Sequence, residues 1–149
     1  MSNFKGHLTG GLIISSINTL TFTYLYNIKT GIITGITSLL FSLYPDMDIK
    51  SHSQRIVTAI LTTLIIYFLY NNYNATYTAF VGFLIIMPML HKHRGYNHSI
   101  INGFVLCLIW LGILSAFFTI DLNKDYIYNI ALLSGYWTHL ILDRHWKAL

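Results

Sequence analysis

Seven histidines and five aspartates, with no glutamate, are the residues of this 149-residue chain best suited to chemistry. The imidazoles are His7, His52, His91, His93, His98, His139 and His145; the carboxylates are Asp46, Asp48, Asp121, Asp125 and Asp143. Imidazole is the commonest metal ligand near neutral pH, and mixed imidazole–carboxylate ligation suits Zn²⁺ or Mn²⁺. The lone cysteine, Cys107, lies in an apolar run, which excludes an intrachain disulfide and a thiolate-rich zinc site.

These residues fall into four clusters. His7 precedes the first apolar run, beside Thr9 and Gly10. Asp46 and Asp48 follow Pro45, which stops the second run as a helix. Two carboxylates after a helix C-terminus are electrostatically costly unless a cation compensates them. The segment His91-Lys92-His93-Arg94-Gly95-Tyr96-Asn97-His98-Ser99 packs three histidines, an arginine and a lysine into a short link. Gly95 permits the tight turn that folds His93 and His98 toward one point, and Asn97 or Ser99 can cap the next helix. Arg94 and Lys92 beside a helix N-terminus suit a phosphate. His139 and Asp143, four residues apart, share one helix face, a spacing by which helices offer two ligands to one metal.

Each cluster alone has a plainer explanation. His7 could be a solvated polar residue and the aspartates an Asx turn; the basic link could rest on anionic lipid, and His139 could simply bond Asp143. A lipid contact explains Lys92 and Arg94 but not three histidines. His52, His91 and His145 fit supporting or surface roles. Taken together, His7, Asp46, Asp48, His93, His98, His139 and Asp143 supply seven ligands. That exceeds one tetrahedral site and fits two divalent ions. An aspartate bridging two ions about 3.5–4 Å apart is the usual arrangement for phosphoester hydrolysis. Asp46 and Asp48 are the candidate bridging ligands and proton acceptors, and Arg94 the candidate stabiliser of transition-state charge.

The elements that position these groups are set by an apolar composition. Hydrophobic residues make up 54% and charged residues 9%, against about 25% charge in a soluble domain. The mean hydropathy is +0.56. So few charges cannot track a phosphate backbone, so no nucleic-acid partner is expected. Uncharged runs occupy 11–26, 31–44, 56–70, 75–90, 99–120 and 127–142. Within hydrocarbon every backbone group must be paired internally, which favours helices. The expectation is an all-α integral membrane bundle of five to six short helices, a single domain over 1–149, with an uncleaved first helix and a polar metal site at one membrane face. Only the fifth run reaches the roughly 20 residues that span a bilayer comfortably. The second and sixth are the weakest spans, half-inserted or packed inside the bundle.

The clusters recur about every 40 residues, the length of a helical hairpin crossing a bilayer twice, so all four return to one side. That side also carries Lys5, Lys50, Arg55, Lys92, Arg94, Arg144 and Lys147, against Lys29 and Lys124 on the other. The positive-inside rule then places the site at the cytoplasmic face.

The motifs Gly6-His7, Pro45-Asp46-Met47-Asp48, His93-Arg94-Gly95-Tyr96-Asn97-His98-Ser99 and Thr138-His139-Leu140-Ile141-Leu142-Asp143 occur in order over nearly the whole chain. In this they resemble the membrane-bound metal-dependent hydrolases of the YdjM type, with Gly6 and Asn97 standing where the family carries threonine. The resemblance implies a helical inner-membrane hydrolase holding metal at these His and Asp positions. The expected activity is hydrolysis of a phosphoester, such as a lipid headgroup, by two divalent ions, zinc or manganese, with membrane lipid as partner. Three competitors stand beside it. A divalent-metal transporter needs ligands near the bilayer midplane, where the runs offer little beyond Asn18 and Asn102. A non-catalytic membrane adaptor would use the metal as a staple. A soluble helical bundle would need more charge.

Overall fold

The structure, a computed structural model, describes residues 4–48, 51–89, 98–117 and 122–143, with the side chains of 48, 89 and 122–125 outside that description. Within these residues the chain is all-α, with six helices, one 3₁₀ turn and no strand. The helices are α1 (Phe4–Leu25), α2 (Ile28–Leu43), α3 (His52–Tyr70), α4 (Ala75–Met89), α5 (Ile100–Leu114) and α6 (Leu122–Asp143); the turn is Tyr44–Asp48.

Helix lengths depart from the apolar runs in an informative way. The fifth run gives a helix of only 15 residues. Past Leu114 the backbone tightens: Ala116 N–H bonds Ile113 C=O and Phe117 N–H bonds Leu114 C=O. Ser115 also turns its hydroxyl back onto Gly112 C=O, a side-chain bond that competes with the helix. Conversely, α1 and α6 have 22 residues each, about 33 Å, because both continue into polar sequence beyond the apolar run. Among the described residues, only α3 is both long and apolar enough to cross a membrane by itself; 75–88 and 100–114 are shorter apolar helices.

The second run packs inside the bundle, the alternative left open by its length. Ten residues of α2 are buried, including Thr34, Thr37, Ser38 and Ser42. It is clasped between α1 and α6. The approach is close because small residues face each other: a Cβ at Gly35 would meet the Thr19 side chain, and one at Gly11 the Ser42 side chain. Helix pairing by small residues is the usual solution where lipid offers no hydrophobic driving force. Asn18 of α1 donates to both Ser38 Oγ of α2 and Ser134 Oγ of α6, so the three helices share one buried polar knot.

The core lies where the turn and α5 meet α2 and α6, around Phe41, Tyr44, Met47, Leu106 and Tyr136. Outward faces are apolar as well: Leu20, Tyr24, Ile28, Leu69 and Leu108 are more than half exposed. Contiguous exposed apolar surface of this kind marks a lipid or partner face. α3 ends in a Schellman motif, with Asn72 in the left-handed region (φ 53°) and Tyr73 N–H bonding Phe68 C=O.

Candidate metal centre

Five side chains from four elements converge at one end of the bundle. His7 lies in the first turns of α1, Asp46 in the 3₁₀ turn after α2, His98 just before α5, and His139 and Asp143 in the last turns of α6. His7 Nε2 is 3.2 Å from Asp143 Oδ1 and 4.0 Å from Asp46 Oδ2. His98 Nε2 is 3.7 Å from both Asp46 Oδ1 and Asp143 Oδ2. His139 Nε2 is 3.4 Å from Asp46 Oδ1 and 3.5 Å from Asp143 Oδ2. The side chains of His7, His98, His139 and Asp143 are at most 4% exposed, and that of Asp46 is 16% exposed.

The backbone that carries Asp46 and His98 is held by the fold. Ser51 donates its hydroxyl to Asp46 C=O and accepts from Gln54 N–H, tying the turn to the start of α3. Tyr44 donates to Leu84 C=O and pins the turn to α4. Ser99 caps α5, accepting from Asn102 N–H and so fixing the backbone beside His98. Tyr136, fully buried in α6, donates to Ser99 C=O and accepts from Asn102 Nδ2. A Tyr136→Phe variant is expected to lose about 1–3 kcal/mol of stability. It should also weaken metal binding about 10-fold, the scale of a lost supporting bond. Thermal denaturation in detergent and a competitive chelator titration check the two effects.

His139 carries the strongest argument for a cation. Its Nδ1 lies 2.8 Å from Ser42 C=O, an acceptor only, so Nδ1 bears the proton. In the neutral ring Nε2 is then a bare lone pair, and it has no hydrogen-bond partner. It points at two carboxylate oxygens that also present lone pairs. The conflict is resolved by a proton or by a metal ion. Protonating both rings is a poor remedy here, because the His7 and His139 rings stack at 3.9 Å, 13° from parallel, where two imidazolium charges would repel.

A metal ion fits the set. One ligand atom each from Asp46, His98, His139 and Asp143 lies within 4.8 Å of the others, and these four residues can hold an ion. Ligands at about 2.0–2.1 Å from one ion lie at most about 4.2 Å apart, and the His98 and His139 Nε2 atoms lie within that limit of Asp46 Oδ1 and Asp143 Oδ2, at 3.4–3.7 Å, while His7 faces the other oxygen of each carboxylate. Three neutral imidazoles and two carboxylates carry a net −2, which a divalent ion cancels in a place where uncompensated charge is costly. Burial raises the pKa of Asp46, but the facing imidazoles of His139, His98 and His7 outweigh it, leaving the carboxyl below its usual range.

Of the seven expected ligands, Asp46, His98, His139 and Asp143 therefore meet at one point, with His7 against the other oxygen of each carboxylate. The Asp48 side chain, His93 and Arg94 lie outside the described residues, as do His91 and His145. His52 is exposed at the start of α3 with its ring 5.5 Å from Phe4, and takes no part. Sequence reasoning missed the Ser42 carbonyl and Tyr136. The first has no side-chain signature, whereas a tyrosine one residue after a glycine in α6 was at least visible.

The model of the YdjM inner membrane protein family matches residues 1–148, and the chain belongs to that family. Neither a curated protein nor a solved structure matches it.

Proposed function

We propose that this member of an inner membrane protein family is a metal-dependent hydrolase of phosphoesters at the cytoplasmic membrane interface, a lipid headgroup being the natural substrate. The observation that carries this reading is the convergence of three imidazoles and two carboxylates, one imidazole aimed by a backbone carbonyl, at the end of an apolar bundle. When bound, a divalent ion, zinc or manganese, would polarise a phosphoryl oxygen and acidify water. Asp46, His98, His139 and Asp143 suffice for one ion, and a second would draw on His7, Asp48 and His93. His98, His139 and Asp143 would hold the first ion and exclude solvent. Asp46, the most exposed of the five, would face the substrate and accept a proton. Arg94 would bind the phosphoryl charge. Orientation toward the cytoplasm rests on the excess of cations on the side of the site.

A second reading has its own support: four of the five donors are nearly buried, as in a closed structural site. Detergent-purified protein separates the two by metal stoichiometry and by hydrolysis of bis-p-nitrophenyl phosphate and of phospholipid vesicles. Two equivalents with turnover that falls in Arg94→Ala support the hydrolase; one equivalent without turnover supports the staple; no metal removes both.

Metal affinity should fall as the pH is lowered. Imidazoles must be neutral to ligate, and protons displace the ion from them. Asp46, already below the normal carboxylate range, stays ionised throughout, so the acid limb reports the histidines. Isothermal titration with Zn²⁺ between pH 5 and 8 checks this.

A further inference from the structure

The two stacked imidazoles of the metal centre are not aimed at the same ion. An imidazole lone pair lies in the plane of its ring, and the His7 and His139 planes run 13° from parallel with centroids 3.9 Å apart. An ion on the His139 lone pair therefore stands off the plane of His7, away from its lone pair. Yet the Nε2 atoms of both rings face the same two carboxylates. Two rings side by side address two points.

The carboxylates divide in step with the rings. Asp46 turns Oδ1 to His98 and His139 and Oδ2 to His7. Asp143 turns Oδ2 to His98 and His139 and Oδ1 to His7. The donors thus sort into two sets with no atom in common. His98, His139, Asp46 Oδ1 and Asp143 Oδ2 make four, the number of a closed tetrahedral site. His7, Asp46 Oδ2 and Asp143 Oδ1 make three, the number that leaves a position open for water or substrate. The ring spacing of 3.9 Å falls within the separation of paired catalytic ions, about 3.5–4 Å. Charge separates the two sets as well. One divalent ion cancels the two carboxylates, whereas a second leaves a positive surplus among side chains almost wholly buried, which calls for an anion.

We propose that His7 marks a second seat, so that Asp46 and Asp143 each bridge two divalent ions, one closed and one open, and that the open ion binds jointly with an oxyanion such as a phosphoryl group. This gives the second bridge to Asp143, where the sequence alone suggested Asp48. The use of the open position rests on the hydrolase reading; the seat rests on the rings and carboxylates.

The full chain, purified in detergent and stripped with a chelator, is titrated with Mn²⁺ under electron paramagnetic resonance, with and without inorganic phosphate. Two equivalents are expected, the second weaker, with an exchange-coupled spectrum as it fills. Phosphate should tighten the second ion about 10-fold, an ordinary coupling between two ligands. His7→Ala should keep the first ion, weaken the second more than about 100-fold, beyond the loss of a supporting group, and abolish the coupled spectrum. If that variant does not fold, His7→Gln, which keeps more of the bulk, takes its place. A wild type that stops at one equivalent, or binds two ions without exchange coupling, overturns the proposal. So does a His7 variant that keeps the coupled pair, which would put the second ion elsewhere and leave the hydrolase reading standing. A coupled pair indifferent to phosphate overturns the oxyanion half. A coupled pair that His7→Ala removes, in a protein that hydrolyses no phosphoester, supports the seat and counts against the hydrolase reading alone.

Discussion

Replacing His139 with alanine is expected to lower metal affinity by more than about 100-fold, beyond what the loss of a merely supporting group costs. The reasons compound. His139 supplies a ring nitrogen whose lone pair is directed by the backbone, through Nδ1–H to Ser42 C=O. It faces both carboxylates, and its ring is stacked on His7. Removing it leaves Asp46 and Asp143 with two imidazoles and a gap between them. Metal analysis of detergent-purified protein, followed by competition with a chelator of known affinity, measures the loss. His52→Ala, on an exposed histidine outside the cluster, should leave metal content unchanged. Equal metal content in wild type and His139→Ala would dissociate the cluster from metal binding.

The second large effect is steric. In Gly135→Ala the new Cβ would overlap the Ser38 carbonyl, with the Ser38 carbonyl carbon and Cα at 2.8 and 2.9 Å. These are backbone atoms and cannot rotate away, so α6 must move off α2. Overpacking of this kind costs about 3 kcal/mol. The damage should reach the site as well. Gly135 precedes His139 by four residues and Ser38 precedes Ser42 by four, so the two helices run parallel with one contact directly above the other. Widening the first gap stretches the bond from His139 to Ser42. Metal affinity is therefore expected to drop about 10–100-fold, together with an earlier thermal transition. Gly82→Ala is the control, since a Cβ there meets nothing within 4 Å and α4 gains up to about 1 kcal/mol of helix propensity.

The convergence of the ligands was legible from spacing. Polar clusters separated by a hairpin's length return to the same side, and a four-residue interval on a helix puts His139 and Asp143 together. What spacing does not convey is which helix sits in the middle. In an apolar chain, lipid-facing and protein-facing positions are both hydrophobic, so periodicity says little about orientation. The usable signal was the small residues: Gly31, Gly35, Ser38 and Ser42 descend one face of α2, and Ala131 and Gly135 descend α6. Helix ends were also illegible from apolar runs alone, because Ser115 ended α5 by bonding to the backbone while α1 carried His7 on helical turns beyond its apolar run. Ser99, one of two expected caps, is the cap. The partner of His139 is a main-chain oxygen, and every residue has one.

The order in which the ligands enter the polypeptide has a consequence for biogenesis. His7, Asp46 and His98 are synthesised before α6, which then brings His139 and Asp143 together with the Tyr136 bond that steadies Ser99. A nascent or misassembled protein lacking a docked α6 retains two imidazoles and one carboxylate of this set, without the Tyr136 bond that steadies Ser99. Ion capture by this cluster would thus report that the last helix has found its seat.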